Sequence, residues 1–460
     1  MSSGNRSSIS ALGNPAFRRL AFWLLIANIG YRAEEATILW LTFQGKNSKA
    51  VLVGTVLMTL LPRTPALWGG GRIADKYSRR TIMLCTRMGM ALLSLTFIGS
   101  IRIEGAIGLA LIWGTQVLIS ILTGLNDPSQ EAVMQEMVRT QELHNARAVY
   151  NACSYTSTIG GYLIAAFSKG VEGASWIFLL SFATCICFVG YLSRLCVGRA
   201  EPRKEAPEQK RKVTQREAIQ YIRRSPDILL ALATIAVIDL LMASRPVMLP
   251  LVGAELGGSH AYTLLTVANF AGSLIGALVV IRQSRPPTIR RMFASATFFS
   301  LFILLHGFSA WHSSLVWAMV NVAIARFAAE IFVNAVGTLR QRNVPREFMG
   351  RVSGISLLVS VVCAAASNVH AGLWLDPMLG ASVATMVVGG TSLVALSILW
   401  PVARHKHLLE MPTVAPRWVA PATAVIFQLV PNKTSPNRSR SYIKAALAFS
   451  SCRTTILANR

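Results

Sequence analysis

Twelve windows of roughly 20 apolar residues run along this chain, at 17–43, 51–69, 81–101, 106–125, 146–168, 174–195, 227–252, 262–281, 292–311, 314–337, 352–374 and 380–402. A helix of that length crosses the hydrocarbon of a bilayer. No water is present there to satisfy the backbone, so each window must close its own hydrogen bonds as a helix. The windows fall into two sets of six. Between them lies a polar stretch, 198–224, with Arg203-Lys204 and Lys210-Arg211-Lys212, which reads as a solvated linker. The expected organisation is a six-helix bundle over 1–197, a cytoplasmic linker over 198–225, a second six-helix bundle over 226–405 and a tail over 406–460.

Composition agrees. An apolar share of 53% with only 14% charged residues over 460 positions is too greasy for a soluble fold of this size. A net charge of +25 raises the question of nucleic acid. The basic residues, however, lie between apolar spans and on no RNA- or DNA-reading motif. Short cytoplasmic loops collect Lys and Arg. With the N-terminus inside, most of the basic residues fall on the cytoplasmic side, and the opposite side holds only Lys46, Lys49, Arg102 and Lys169 outside the spans. Both termini are therefore expected in the cytoplasm, with the chain multi-pass in a bacterial inner membrane. The polar run Met1 to Asn14 leads into a full-length span with no small-residue cleavage site, so no cleavable signal peptide is expected.

Cys85, Cys153, Cys185, Cys187, Cys196, Cys363 and Cys452 mostly fall inside spans. Cys185 and Cys187 are two apart and face different sides of a helix, so packing is favoured over a metal or disulfide. The Ser, His and Cys residues show neither a nucleophile elbow nor metal-ligand spacing, which argues against an enzyme. His306 and His312 lie near the outer end of the ninth span, where an interfacial role suffices.

The halves look like copies. Asn14-Pro15 before the first span corresponds to Ser225-Pro226 before the seventh, and each is followed at similar distance by an intramembrane arginine, Arg32 and Arg245. The stretch from Val138 to Leu143, leading to Arg147, pairs with that from Val344 to Phe348, leading to Arg351. The shared offset is what a duplicated half would leave.

Between the second and third spans runs Gly71-Arg72-Ile73-Ala74-Asp75-Lys76-Tyr77-Ser78-Arg79-Arg80. It resembles the loop signature of the major facilitator superfamily, Gly-x-x-x-Asp-Arg/Lys-x-Gly-Arg-Arg/Lys. Gly71, Asp75, Lys76, Arg79 and Arg80 match, and Ser78 replaces the second glycine. Asn14-Pro15-Ala16-Phe17-Arg18, Ser225-Pro226, the stretch Met242 to Pro250, Ser273 to Leu278 and Val344 to Val352 extend the likeness toward the branch containing the enterobactin exporter. The likeness covers about 14–405. It implies an all-α membrane protein of twelve helices in two pseudo-symmetric bundles, working by alternating access. It further implies a gating role for Asp75: its carboxylate meets the helix starting near Arg351, whose N-terminus favours negative charge, and lets go when the cytoplasmic side opens. Lys76, Arg79 and Arg80 also serve as topology determinants.

Charges at mid-span cost about 2.5–3.5 kcal/mol on insertion scales and so face a partner or a wet cavity. Here they are Arg32, Glu34 and Glu35 in the first span, Asp239 and Arg245 in the seventh, and Arg326 and Glu330 in the tenth. The family resemblance places spans 1, 4, 7 and 10 around the central cavity, with Gln116 offered by span 4. Glu35, three residues after Arg32, is its natural partner, which leaves Glu34 as the freer candidate. Arg326 and Glu330, four apart, form either a switchable pair coupling proton flow to substrate or a static ion pair. Asp239 is the leading proton-site candidate, in a helix that Pro246 and Pro250 weaken. Trp40, Met242 and Met248 have cavity or packing readings, of which packing is the commoner at helical spacing.

Two departures stand out. Antiporters of this family carry Gly-Pro-x-x-Gly-Gly in the fifth span, where this chain has Gly160-Gly161-Tyr162-Leu163-Ile164-Ala165. The second-half counterpart of the loop signature, Arg282 to Arg291, has no aspartate. The tail from Pro412 carries an apolar run, Val419 to Val430, too short to span, and reads as a disordered cytoplasmic extension. No nucleotide-binding loop is present. The expectation is a monomeric transporter without cofactor, driven by the proton-motive force and exporting a siderophore or other small amphipathic molecule. The alternatives are an uptake carrier, or a transport-inactive receptor on the same fold.

Overall fold

Helix follows helix through nearly the whole chain. The computed structural model describes residues 13–46, 49–138, 143–167, 170–194, 215–282 and 288–405. The tail beyond 405 and most of the linker, 195–214, lie outside the described residues. In chain order the helices are α1 (Pro15–Lys46), α2 (Lys49–Leu60), α3 (Arg63–Lys76), α4 (Arg79–Ser100), α5 (Gly105–Glu136), α6 (Leu143–Ala166), α7 (Gly170–Arg194) and α8 (Gln215–Arg224). There follow α9 (Pro226–Met242), α10 (Arg245–Leu256), α11 (Ser259–Arg282), α12 (Ile289–Trp311), α13 (Leu315–Asn343), α14 (Arg346–His370), a π-helical turn (Ala371–Leu375), α15 (Asp376–Leu379) and α16 (Ala381–His405).

Ten of the helical segments among the described residues are long and apolar enough to cross a membrane. The two remaining expected passes are α1, 32 residues long, and α6, 24 residues long. Both carry polar groups along the pass: α1 holds Arg32, Glu34 and Glu35, and α6 holds Asn151, Ser154 and Thr158. The fold is all-α and of the membrane type the sequence predicts.

Three passes are interrupted, each beside a proline or a bulge. The second bends at Leu61-Pro62 between α2 and α3, and the seventh breaks at Ala243-Ser244 with Pro246 in the first turn of α10, where its missing N–H costs nothing. Neighbouring helices satisfy the loosened backbone, as lipid demands. Asn368 donates to the Ala243 carbonyl at 3.2 Å, and Ser120 donates to the Thr59 carbonyl at 2.5 Å. The eleventh pass takes its π turn just before Asp376.

Apolar side chains on the outside, Ile107, Val316 and Ile398 among them, are two-thirds exposed or more, the pattern of a surface that meets lipid. Lipid tails are as apolar as leucine, so burial alone does not hold the helices together. Close packing and interhelical polar contacts do: Trp113 to Thr55 at 3.0 Å, Thr96 with Thr115 at 3.1 Å, Ser94 with Ser181 at 3.4 Å, each about 0.6 kcal/mol. One core packs Leu24, Met83 and Phe188 of the first half, and another packs Met242, Phe299 and Phe332 of the second.

A third core joins the halves. It unites Leu39 and Phe43 of α1, Val53 of α2, Tyr162 of α6, Val247 and Val252 of α10, Tyr262 of α11 and Ala384 of α16. Trp40 stacks on Tyr262 with centroids 5.5 Å apart, and Lys49 forms an ion pair with buried Asp376. This seal lies at the end of the molecule away from the Asp75 loop. Trp40 packs against this core, and Met242 and Met248 are buried in the cores while also bordering a small apolar pocket. His306 is buried rather than interfacial, its Nδ1 2.9 Å from the Ala318 carbonyl, because α12 and α13 press together along their length. Part of the expected solvated linker is also packed: in α8, Ala218 and Ile222 are buried and Tyr221 stacks on Phe348 at 4.8 Å.

Candidate functional site

The charged residues of α1 divide between two environments. Arg32 and Glu35, three apart on one face, form the expected ion pair at 2.6 Å. Glu34, one position on, points about 100° away and is 2% exposed, with the Ser94 and Ser181 hydroxyls beside it and one carboxyl oxygen unpartnered. The freer candidate of the sequence reading is thus packed against α4 and α7, while Arg32 faces open space. Gly161 makes that placement possible: a Cβ there would lie 2.7 Å from the Ala33 nitrogen and the Arg32 Cβ, so only glycine lets α6 approach α1 at this level.

Arg32 lines a cavity of about 280 Å³ bounded by α1, α3, α4, α5 and α6. Two further guanidinium groups reach it. Arg63, opening α3, pairs with Asp127 of α5 at 2.5 Å. Arg87, mid-way along α4, is 4% exposed. It donates to Gln130 Oε1 at 2.9 Å and Asn28 Oδ1 at 3.3 Å and lies over the Phe188 ring. Gln116 does not line this space; it is 5% exposed and donates to Thr59 Oγ1 at 3.0 Å, beside the α2–α3 bend.

Asn151 of α6 also borders a larger cavity, about 750 Å³, lined chiefly by α9, α13 and α14. Here the structure brings Asp239 and Glu330 together. Asp239 Oδ2 accepts from Ser360 at 2.5 Å. Glu330 Oε2 accepts from Tyr155 at 2.7 Å, and its Oε1 accepts from Asn334 at 3.0 Å. Arg326 turns instead to Ser273 at 3.0 Å, and no ion pair joins it to Glu330 among the described residues. In this conformation the two therefore form no ion pair: Tyr155 and Asn334 each donate to one Glu330 oxygen, while Arg326 is turned toward Ser273. Arg245 donates to Asn269 at 3.1 Å and faces a small apolar pocket with Met248 and His306, outside the large cavity. Both cavities use the halves of their helices nearest the Asp75 loop, opposite the apolar seal.

Of the loop residues, Gly71, Asp75 and Lys76 end α3, and their side chains fall outside the described residues. Arg79 opens α4. Arg80 donates from Nε to the Leu192 carbonyl at 2.9 Å and from a terminal nitrogen to the Ser193 carbonyl, capping the end of α7 within the same half. The helix the loop was expected to meet begins at Arg346, with Arg351 exposed in its second turn.

Sequence reasoning missed Arg63, Arg87, Asp127, Asn151 and Tyr155. Arg87 had a signal, since a guanidinium in the middle of the third span is costly unless it faces a partner or water. Arg63 lies inside the second apolar window, where its charge carries the same signal, and Asp127 lies just beyond the end of the fourth. Asn151 and Tyr155 had none, being polar residues in a polar helix.

A family model described as Major Facilitator Superfamily matches residues 52–368. An uncharacterized MFS-type transporter, YfiS of Bacillus subtilis, is 23% identical over 346 residues, covering 69% of this chain and 76% of its own length. Among solved structures, the nucleoside transporter NupG superposes with a TM-score of 0.67 at 11% identity over 84% of this chain and 99% of its own. The xylose transporter XylE from E. coli, in an inward open conformation, superposes with a TM-score of 0.63 at 12% identity over 84% and 95%. At such identities these structures speak for the fold alone. The family match covers well over half of the chain and makes it a membrane transporter rather than an enzyme. The chain belongs to the Major Facilitator Superfamily of multi-pass secondary transporters.

Proposed function

We propose that the protein exports a small amphipathic molecule, a siderophore or compound of similar character, across a bacterial inner membrane in exchange for protons. The observation that carries this is the pair Asp239 and Glu330 on one cavity, each held by hydroxyl or amide donors rather than by an arginine. Carboxylates so placed can take up and release protons without breaking an ion pair. Glu330 also bonds Tyr155 of the opposite half, so its protonation acts directly on a contact between the halves. The apolar seal at one end and the cavities toward the other fit one state of an alternating-access cycle, the inward-facing one if both termini are cytoplasmic.

In this reading the chain works as a monomer of two six-helix halves, 1–197 and 226–405, with no cofactor beyond the proton-motive force. Gly71, Asp75, Lys76, Arg79 and Arg80 form the gate that closes the loop side, with Asp75 docking at the α14 N-terminus in the opposite state.

The test is uptake of candidate siderophores and amphipathic dyes into energised inside-out vesicles, with and without a proton uncoupler. Wild type is compared with Asp239→Asn and Glu330→Gln. Uptake abolished by uncoupler and by one of the substitutions is the expected result. Accumulation in right-side-out vesicles instead would make the protein an importer, and flux indifferent to the uncoupler would remove proton coupling.

A further inference from the structure

Three guanidinium groups, Arg32, Arg63 and Arg87, surround the smaller cavity, and two of them are neutralised in place. Glu35 pairs with Arg32 and Asp127 with Arg63. Arg87 has no carboxylate within ion-pair distance among the described residues. Its contacts are to neutral groups: the amide oxygens Gln130 Oε1 and Asn28 Oδ1, the Cys185 thiol and the Phe188 ring face. These contacts aim the group without cancelling its charge. Gln130 is itself held by Asn126 at 3.1 Å and Tyr150 at 2.8 Å, so the guanidinium sits in a braced amide network rather than on a mobile surface.

A buried unpaired cation is costly, and in a membrane-spanning segment such a residue faces the bundle interior or a wet cavity and marks a substrate or ion path. The cavity beside it is the space such a partner would enter. A guanidinium is the group that matches a carboxylate or phosphonate through two parallel hydrogen bonds. The adjoining larger cavity, sharing Asn151, offers apolar wall from Phe332, Val333, Val336 and Leu357, and its size suits the body of a small organic molecule.

We infer that the transported molecule is a small amphipathic organic anion whose acidic group docks on Arg87 while its apolar part occupies the larger cavity. This rests on the transport reading above and narrows it to a substrate class.

The experiment uses the full-length protein in nanodiscs. Thermal stabilisation is measured against benzoate, salicylate and phenylphosphonate, with benzamide and benzylamine as neutral and cationic counterparts of the same size. The acids should stabilise the protein and the amide and amine should not. Arg87→Gln should weaken acid binding at least tenfold, and Arg87→Lys, which keeps the charge without the fork, should retain part of it. Amide or amine stabilising as strongly as the acids overturns the assignment, and so does a flat response to every acid. Acid binding unchanged in Arg87→Gln or, should that variant not fold, undiminished in Arg87→Lys, does the same. Failure of the two readings is separable. Arg87-dependent acid binding with no flux in either vesicle orientation supports the anion site and sinks transport. Flux of a neutral compound that Arg87→Gln leaves intact sinks the anion site and leaves transport standing.

Discussion

The Tyr155 hydroxyl of α6 donates to Glu330 of α13 at 2.7 Å, a hydrogen bond between residues 175 positions apart that ties the two halves at the edge of the large cavity. While Glu330 carries its charge, such a bond contributes about 1.5–3 kcal/mol. Tyr155→Phe removes it while keeping the ring near Phe270, whose centroid lies 6.5 Å away. The variant should fold normally and shift the balance between the two cavity-access states by roughly tenfold or more, about 1.4 kcal/mol per decade. The check is the rate of maleimide labelling of a cysteine placed at Val336, which should fall as the cavity closes.

At the sealed end, Lys49 of α2 meets Asp376 of α15, whose side chain is 3% exposed. Lys49→Met leaves that carboxylate buried without its cation. The lysine is partly exposed, so the cost falls between the ~1 kcal/mol of a surface pair and the ~3–5 kcal/mol of a buried one. Labelling of Val53→Cys by an impermeant maleimide added from that side should accelerate in the variant, and an unchanged rate would show that the pair does not hold the seal.

Gly276 of α11 lies against Glu330: a Cβ would stand 2.8 Å from the Glu330 Cβ and 2.9 Å from the Phe327 carbonyl. Gly276→Ala must push α13 outward. A loss of about 1–3 kcal/mol is expected from overpacking, together with reduced flux, since the displaced helix carries the proposed proton site. Melting of the purified protein and vesicle uptake measure the two effects.

Asn368 of α14 satisfies the Ala243 carbonyl at the break between α9 and α10. Asn368→Leu keeps the bulk and strands that carbonyl inside the membrane. Destabilisation of about 1–3 kcal/mol should follow, visible as an earlier midpoint in denaturant titration. Thermal or chemical stability equal to wild type would mean that another donor reaches the break.

What could be read directly from residue order was local. Each apolar window long enough to span must become a helix because lipid offers the backbone no other partner, and the prolines at 62 and 246 sit where the second and seventh passes give way. The Arg32–Glu35 pair follows from spacing within a single helix. The Asp75 loop identified the family because it is a contiguous pattern.

Helix rotation and distant partners were not written in that local code. A span tells that Glu34 is costly in lipid but not that it faces α4 and α7 instead of the cavity. Arg326 and Glu330 are neighbours on one helix, yet Ser273 and Tyr155, on other helices, set where each turns. Arg87 became a cavity residue through the approach of α5, whose Gln130 lies 43 positions away. Ten of the passes among the described residues rest on hydrophobic length, a property of each segment alone. Which charges meet, and at which end the halves close, depends on packing between segments far apart in the chain, and that was settled only when they came together.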